Sequence, residues 1–298
     1  MKSRFFLYVS LGADFLISVS KFICAAITGS ASMTSEGIHS VIDTISQVML
    51  IWGDRSSRRK PDNSRPFGYG RELYFWSFIV SLVMFVMGGC ISVYEGFSRF
   101  GKPNFEGNPT WNYVVLAIAF IFNSISFVSA RRAFNEHRLS RSFWKAVIRT
   151  KDPSTIIVLL GDIADLSGLV IAFLGIYLGR LYHNQYFDGI ASIIIGLIMI
   201  FISGVLTRES RSLLMGESIA VEHLKVIIEM IEEDHCIKQV KQHFSIYRSP
   251  DDILLLLTVV FRNDLTTQQI AESIKAMTQN VQEKYPKIKQ IFIEPVPK

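Results

Sequence analysis

The chain is poor in the features that mark soluble enzymes and nucleic-acid proteins. Only three of its 298 residues are cysteine, Cys24, Cys90 and Cys236, and they stand far apart. They therefore form neither a disulfide framework nor a cysteine metal cluster, and two of them fall in apolar runs as small core residues. No nucleotide loop, glycine-rich phosphate cradle or nucleophile elbow appears, which leaves no motif for a bound organic cofactor. Charged residues make up only 19%, against 49% hydrophobic, with a mean hydropathy of +0.31. That balance is too apolar for an ordinary soluble domain and fits several membrane spans plus a soluble part. The net charge of +5 does not point to nucleic acid, because the basic residues are gathered into particular connections. The first residues, Met1-Lys-Ser-Arg-Phe-Phe, have the look of a signal peptide. The apolar run nevertheless continues past residue 20, contains Asp14 and Lys21 and offers no clear cleavage site, so it reads as a retained first span.

Apolar runs of about 20 residues predict six helices at 7–29, 32–53, 72–95, 112–130, 154–179 and 187–206. The connections 54–71 and 131–151 are strongly basic, whereas Thr28-Gly-Ser-Ala31, 96–111 and 180–186 carry few charges. The positive-inside rule puts the basic loops, and with six spans both termini, on the cytoplasmic side. We expect a multi-pass protein of the bacterial inner membrane, surrounded by lipid. Beyond residue 208 the composition becomes that of a small soluble domain. Its order is helix (219–234), strand (238–247), strand (253–261), helix (266–285) and strand (288–294), predicting a compact α+β domain of ferredoxin-like or metallochaperone-like type. The expected domains are thus 1–208 and 209–298.

Charged and titratable side chains inside spans cost at least about 2.5–3.5 kcal/mol each on insertion scales, so each needs a reason. At about 100° per residue, Glu36, His39 and Asp43 form a stripe on one face of the second span, and Asp162 and Asp165 share a face of the fifth. If those faces meet, one imidazole and several carboxylates converge, a set suited to a divalent metal such as Zn²⁺. His39, Asp43 and Asp162 are the principal candidates, with Asp165 and Glu36 behind them. The bland alternative for any one of them is a helix-helix hydrogen bond, which is the reading adopted for Asp14, Lys21 and Asn123. A harder ion such as Mn²⁺ would favour the carboxylates. The half-motif Glu36-x-x-His39 also admits an intramembrane metallohydrolase, although Ser35 stands where the first histidine would be needed. A membrane sensor that holds metal without moving it is a third reading.

Thr28-Gly-Ser-Ala-Ser32 before His39-Ser-Val-Ile-Asp43, the basic loop ending Pro66-Phe-Gly-Tyr-Gly-Arg-Glu72, Asp162 before Gly168 and the α+β tail together resemble the cation diffusion facilitators. The resemblance covers essentially the whole chain. Glu36-Gly-Ile-His-Ser-Val-Ile-Asp-Thr44, Tyr74-Phe-Trp76 and Leu213-Leu-Met-Gly-Glu217 are similar to the branch that contains mitochondrial zinc transporters. The resemblance implies a homodimer that exports a divalent metal, zinc first, in exchange for protons by alternating access, with a tetrahedral mid-membrane site and no enzymatic activity. Two departures stand out. The fifth-span pair is commonly His-x-x-x-Asp, but Val158 lies four residues before Asp162. The histidines of a second, loop-borne site are replaced by Arg65 and Tyr69. The tail is expected to dimerise and to bind metal weakly or not at all, with His235-Cys236 and His243 its only candidate cluster.

Overall fold

The computed structural model describes residues 2–100, 110–136, 151–184 and 186–297. Much of the basic 131–151 connection lies outside them, as does the side chain of Asp14. The described residues divide into two compact units, one of residues 1–56 and 72–211 and the other of 57–71 and 212–298.

The first unit is helical: α1 (Lys2–Thr28), α2 (Ala31–Ser57), α3 (Glu72–Ser98), α4 (Thr110–Glu136), α5 (Pro153–Leu181) and α6 (Tyr186–Met215). Among the described residues, four helices are long and apolar enough to cross a membrane: α3, residues 110–132 of α4, α5 and α6. In α1 the described apolar stretch is Phe15–Thr28. α2 has the length, but Glu36, His39, Asp43, Asp54 and Arg55 lower its hydropathy. Gly29, at φ 65°, ends α1 in the left-handed conformation that glycine tolerates, its N–H donating to the Ala25 carbonyl at 2.8 Å.

The first free N–H groups of α2 find unusual partners. Ser30 Oγ accepts from Met33 N at 3.2 Å, and the Asp188 carboxylate of α6 accepts from the backbone N–H of Ala31 and Ser32 and from the hydroxyls of Ser30 and Ser32. An anion at the helix N-terminus satisfies orphan donors and complements the helix dipole. The short α1–α2 turn is thereby fastened to the start of α6. At the other end of the bundle, Asp152 caps α5 through Ser154 N, with Pro153 at the first helical position.

α3 contains a π-helical segment, Met84–Cys90, where it approaches α6. Glycines line this seam on both sides. A Cβ at Gly196 would sit 2.7 Å from Val93 Cγ2 and 2.8 Å from the Gly89 carbonyl oxygen, and one at Gly96 would sit 2.6 Å from the Gly189 carbonyl. With no hydrophobic drive between helices in lipid, such backbone proximity supplies the packing contact.

The second unit contains α7 (Val221–Glu232), β1 (Ile237–Ser249), β2 (Asp252–Phe261), α8 (Thr267–Lys284) and β3 (Ile288–Val296). The sheet order is β1-β2-β3, antiparallel then parallel. Ile227 and Ile231 of α7 and Met277 and Val281 of α8 bury one face, with Leu255, Leu257 and Val259 beneath them. On the other face Phe244, Leu256 and Phe292 lie in register and exposed. The 57–71 connection also belongs to this unit. Asp62 accepts from Tyr69 Oη at 2.6 Å and from Ser64 Oγ, Ser64 N and Arg65 N, contacts that hold its carboxyl well below the usual carboxylate range. The Arg65 guanidinium stacks over Tyr69 at 4.6 Å, and both residues donate to Asp62.

The glycine seam yields a direct test. Gly196→Ala should lower the melting temperature of the purified protein by an amount equivalent to about 1–3 kcal/mol of overpacking. Gly204→Ala, with nothing within 4 Å of the new methyl, should leave it unchanged or raise it slightly.

Candidate metal centre

α2 and α5 run in opposite directions, so their ionisable residues stack in matching layers. His39 is 1% exposed in its side chain, with Nδ1 3.5 Å from Asp165 Oδ1 and Nε2 3.7 Å from Asp43 Oδ2. One ligand atom from each of His39, Asp43 and Asp165 lies within 4.8 Å of the others. Tetrahedral ligands at about 2.0–2.2 Å from a zinc ion stand about 3.3–3.6 Å apart; the Nε2 to Asp43 separation is close to that, while Asp165 faces the other ring nitrogen. Both ring nitrogens of His39, Asp43 Oδ2 and Asp165 Oδ1 are buried without a hydrogen-bond partner. Such atoms normally cost about 1–3 kcal/mol each, and a nitrogen and carboxylate set of this kind is one that could hold a divalent cation. One imidazole nitrogen can bind the ion while the other N–H donates to the second carboxylate, which fixes tautomer and ring orientation.

The other sequence candidates occupy different places. Asp162, one turn from Asp165 on α5, is outside that trio. Its two carboxylate oxygens accept from Ser126 Oγ of α4 at 3.1 and 3.2 Å. Glu36 is fully buried and paired with Lys21 of α1, Nζ to Oε2, at 2.9 Å. That pairing bridges two helices, as the sequence reading expected of Lys21, and leaves Glu36 unsuited to act as the base of a hydrolase. A cavity of about 550 Å³ adjoins the trio, lined by Asp43 and Gln47 of α2, Asn123 and Ser126 of α4, and Val158, Asp162 and Asp165 of α5. It extends toward the end of the bundle where α2 and α4 finish and α5 begins. Val158, facing this cavity, confirms that no ligand stands four residues before Asp162. Sequence reasoning missed Ser126, an ordinary serine in an apolar helix, and Asp188, whose partners are about 157 positions away. For Lys21 the signal was present, since a mid-span ammonium demands a partner.

In the second unit, Asp234, His235 and Cys236 also lie close together. His235 is 92% exposed in its side chain. Although burial raises it, Asp234's carboxyl is held below its ordinary range by the Cys236 N–H at 2.8 Å and Ser273 Oγ at 2.9 Å. Burial and then the Asp234 charge push the Cys236 thiol up, away from the thiolate a metal requires. His243 is not part of this group.

Residues 7–215 match the cation efflux transmembrane domain. The chain belongs to the cation efflux family. It is a multi-pass integral membrane protein of a transporter family, not an enzyme. It is 31% identical over 222 residues to the human mitochondrial proton-coupled zinc antiporter SLC30A9, a match covering 74% of this chain and 39% of that protein. Metal tolerance protein C4 of Arabidopsis thaliana is 26% identical over 230 residues, 76% of this chain and 50% of the relative. The manganese efflux system protein MneP of Bacillus subtilis is 22% identical over 300 residues, 98% of this chain and 95% of the relative. The chain thus spans well under two thirds of the length of the zinc antiporter.

The geometry separates the roles of the two α5 carboxylates in this cation efflux protein. Cobalt(II) titration should give the intense visible bands of a tetrahedral site in the wild type. His39→Ala and Asp165→Asn should abolish them, while Asp162→Asn should keep them at reduced affinity.

Proposed function

We propose that the protein is a divalent metal efflux transporter, a zinc/proton antiporter working by alternating access. The observation that carries this reading is the buried trio His39, Asp43 and Asp165, with ligand atoms that lack hydrogen-bond partners and with Asp43 and Asp165 lining a cavity. The family and the zinc antiporter relative support it. Asp162, held by Ser126 at the cavity wall, passes the ion to the trio and completes its charge. Asp162→Asn preserves shape while removing that charge, and zinc flux should fall at least tenfold.

Metal binding needs neutral His39 and ionised carboxylates, so protons and metal oppose each other at one site. His39 is the ligand at which a proton and the metal compete for the same nitrogen. His39→Asp should retain some transport, shift preference toward harder ions and alter the pH dependence. Manganese is the second reading, favoured by two carboxylates against one imidazole with Asp162 one turn away, by Val158 and by the MneP relative. In proteoliposomes, zinc uptake should drive opposite proton movement reported by an interior pH dye. Zinc flux with no proton movement would leave a uniporter.

Topologically, this reading takes α1 to α6 as six spans, with residues 209–298 outside the bilayer. The basic 54–71 and 131–151 connections favour cytoplasmic termini, and the end-to-end match to a Bacillus protein favours a bacterial plasma membrane. The tail serves as a homodimer contact and binds metal weakly or not at all. The exposed row Phe244, Leu256 and Phe292 is an apolar sheet face suited to a second copy. Phe244→Glu with Phe292→Glu should shift the full-length protein from dimer toward monomer in light scattering, without changing its helical content.

A further inference from the structure

Lys21 has no exposed surface, in a segment where an uncompensated ammonium would cost several kcal/mol. Its Nζ donates to Glu36 Oε2 at 2.9 Å and to Ser40 Oγ at 2.7 Å, with the Glu36 carbonyl oxygen at 3.4 Å. Glu36 Oε1 is buried without a hydrogen-bond partner and lies so close over Gly168 that a Cβ there would collide with it. Glu36 precedes His39 by three residues, and Gly168 follows Asp165 by three. The ion pair therefore occupies the layer beside His39 and Asp165, and Ser40, which accepts from Lys21, lines the cavity. Its ammonium interacts electrostatically with Asp165 and Asp43 as well as with Glu36.

A carboxylate in this position has an obvious alternative partner. Three residues from His39 and with one free oxygen, Glu36 would add both a ligand atom and a negative charge to a site that already has Asp43, Asp165 and Asp162. Such a site would bind a dication tightly and release it slowly. We propose that Lys21 is a positioning residue that holds the Glu36 carboxylate off the transported ion, keeping the site weak enough to discharge its cargo. This rests on the reading of His39, Asp43 and Asp165 as the metal site.

The two partners act with opposite sign. Removing Lys21 leaves an unpaired carboxylate beside the metal, whereas neutralising Glu36 leaves an unpaired ammonium. An ion pair that only held helices together would weaken the site whichever partner was lost. Zinc affinity of the full-length purified protein, measured at one pH by competition with a chromophoric chelator, separates these cases. One unit charge at an effective dielectric near 20 changes affinity by about tenfold or more at such range. Lys21→Met should tighten zinc binding by about that factor and lower maximal flux in proteoliposomes. Glu36→Gln should weaken binding by a similar factor. The double variant, which replaces a buried ion pair by neutral groups of similar size, should return to within about threefold of wild type. If Lys21→Met does not fold, weakening by Glu36→Gln with recovery in the double variant still supports the proposal, and failure to recover overturns it. Weaker binding in both single variants, or less than a twofold change in both, also overturns it. His39→Ala is measured in parallel. Loss of binding there alongside same-sign effects in the pair defeats only this proposal, while wild-type affinity in His39→Ala defeats the site itself.

Discussion

Charge inside a helical bundle is stable only where something meets it, and the crossing of α2 and α5 is organised around that constraint. The groups occur in layers because the helices are antiparallel: Asp43 near Gly161 and Asp162, His39 against Asp165, and Glu36 over Gly168. Each layer is handled differently. Asp162 accepts from a hydroxyl of α4 and Glu36 pairs through one oxygen with an ammonium of α1, whereas in the middle layer both His39 nitrogens and Asp165 Oδ1 are buried without a hydrogen-bond partner. That layer is the one suited to a dication, and in the proposed cycle the proton and the metal contend for its ligand atoms.

The remaining helices frame this crossing. α3 and α6 approach closely through facing glycines, and the α3 backbone widens to a π-helical turn in the same region. Asp188 fastens the α1–α2 turn to α6 with several hydrogen bonds at one end. The cavity lies toward the opposite end, between α2, α4 and α5. In the proposed cycle, a bundle fastened at one end and hollow at the other would be one of the two asymmetric states of alternating access.

Much of this was legible in the chain and some was not. Each predicted helix has a counterpart in a helix of the structure, because runs of about 20 apolar residues leave a backbone no better way to satisfy its hydrogen bonds. The tail's α-β-β-α-β order followed from periodicity and from the Pro286 and Ser249-Pro-Asp-Asp252 punctuation. The stripe of Glu36, His39 and Asp43 was visible from helical spacing alone. Spacing could not say which α5 carboxylate faces His39, since Asp162 and Asp165 share a helix face and a rotation of a few tens of degrees exchanges them. Nor could it decide that Glu36 belongs to Lys21, because both residues were equally plausible partners for other groups.

Local sequence by itself determined the membrane character, the helix positions, the α+β tail and the presence of costly ionisable groups in the second and fifth helices. These follow from composition and from periods of two and 3.6 residues, which any segment carries without its neighbours. Tertiary structure alone decided the pairing. It brought Asp165 rather than Asp162 to within 3.5 Å of His39, gave Asp162 to Ser126, and tied Asp188 to a turn formed by residues 30–32. The reason is that a buried polar atom takes its partner from whichever helix packs against it, and that choice is made by the shape of the whole bundle.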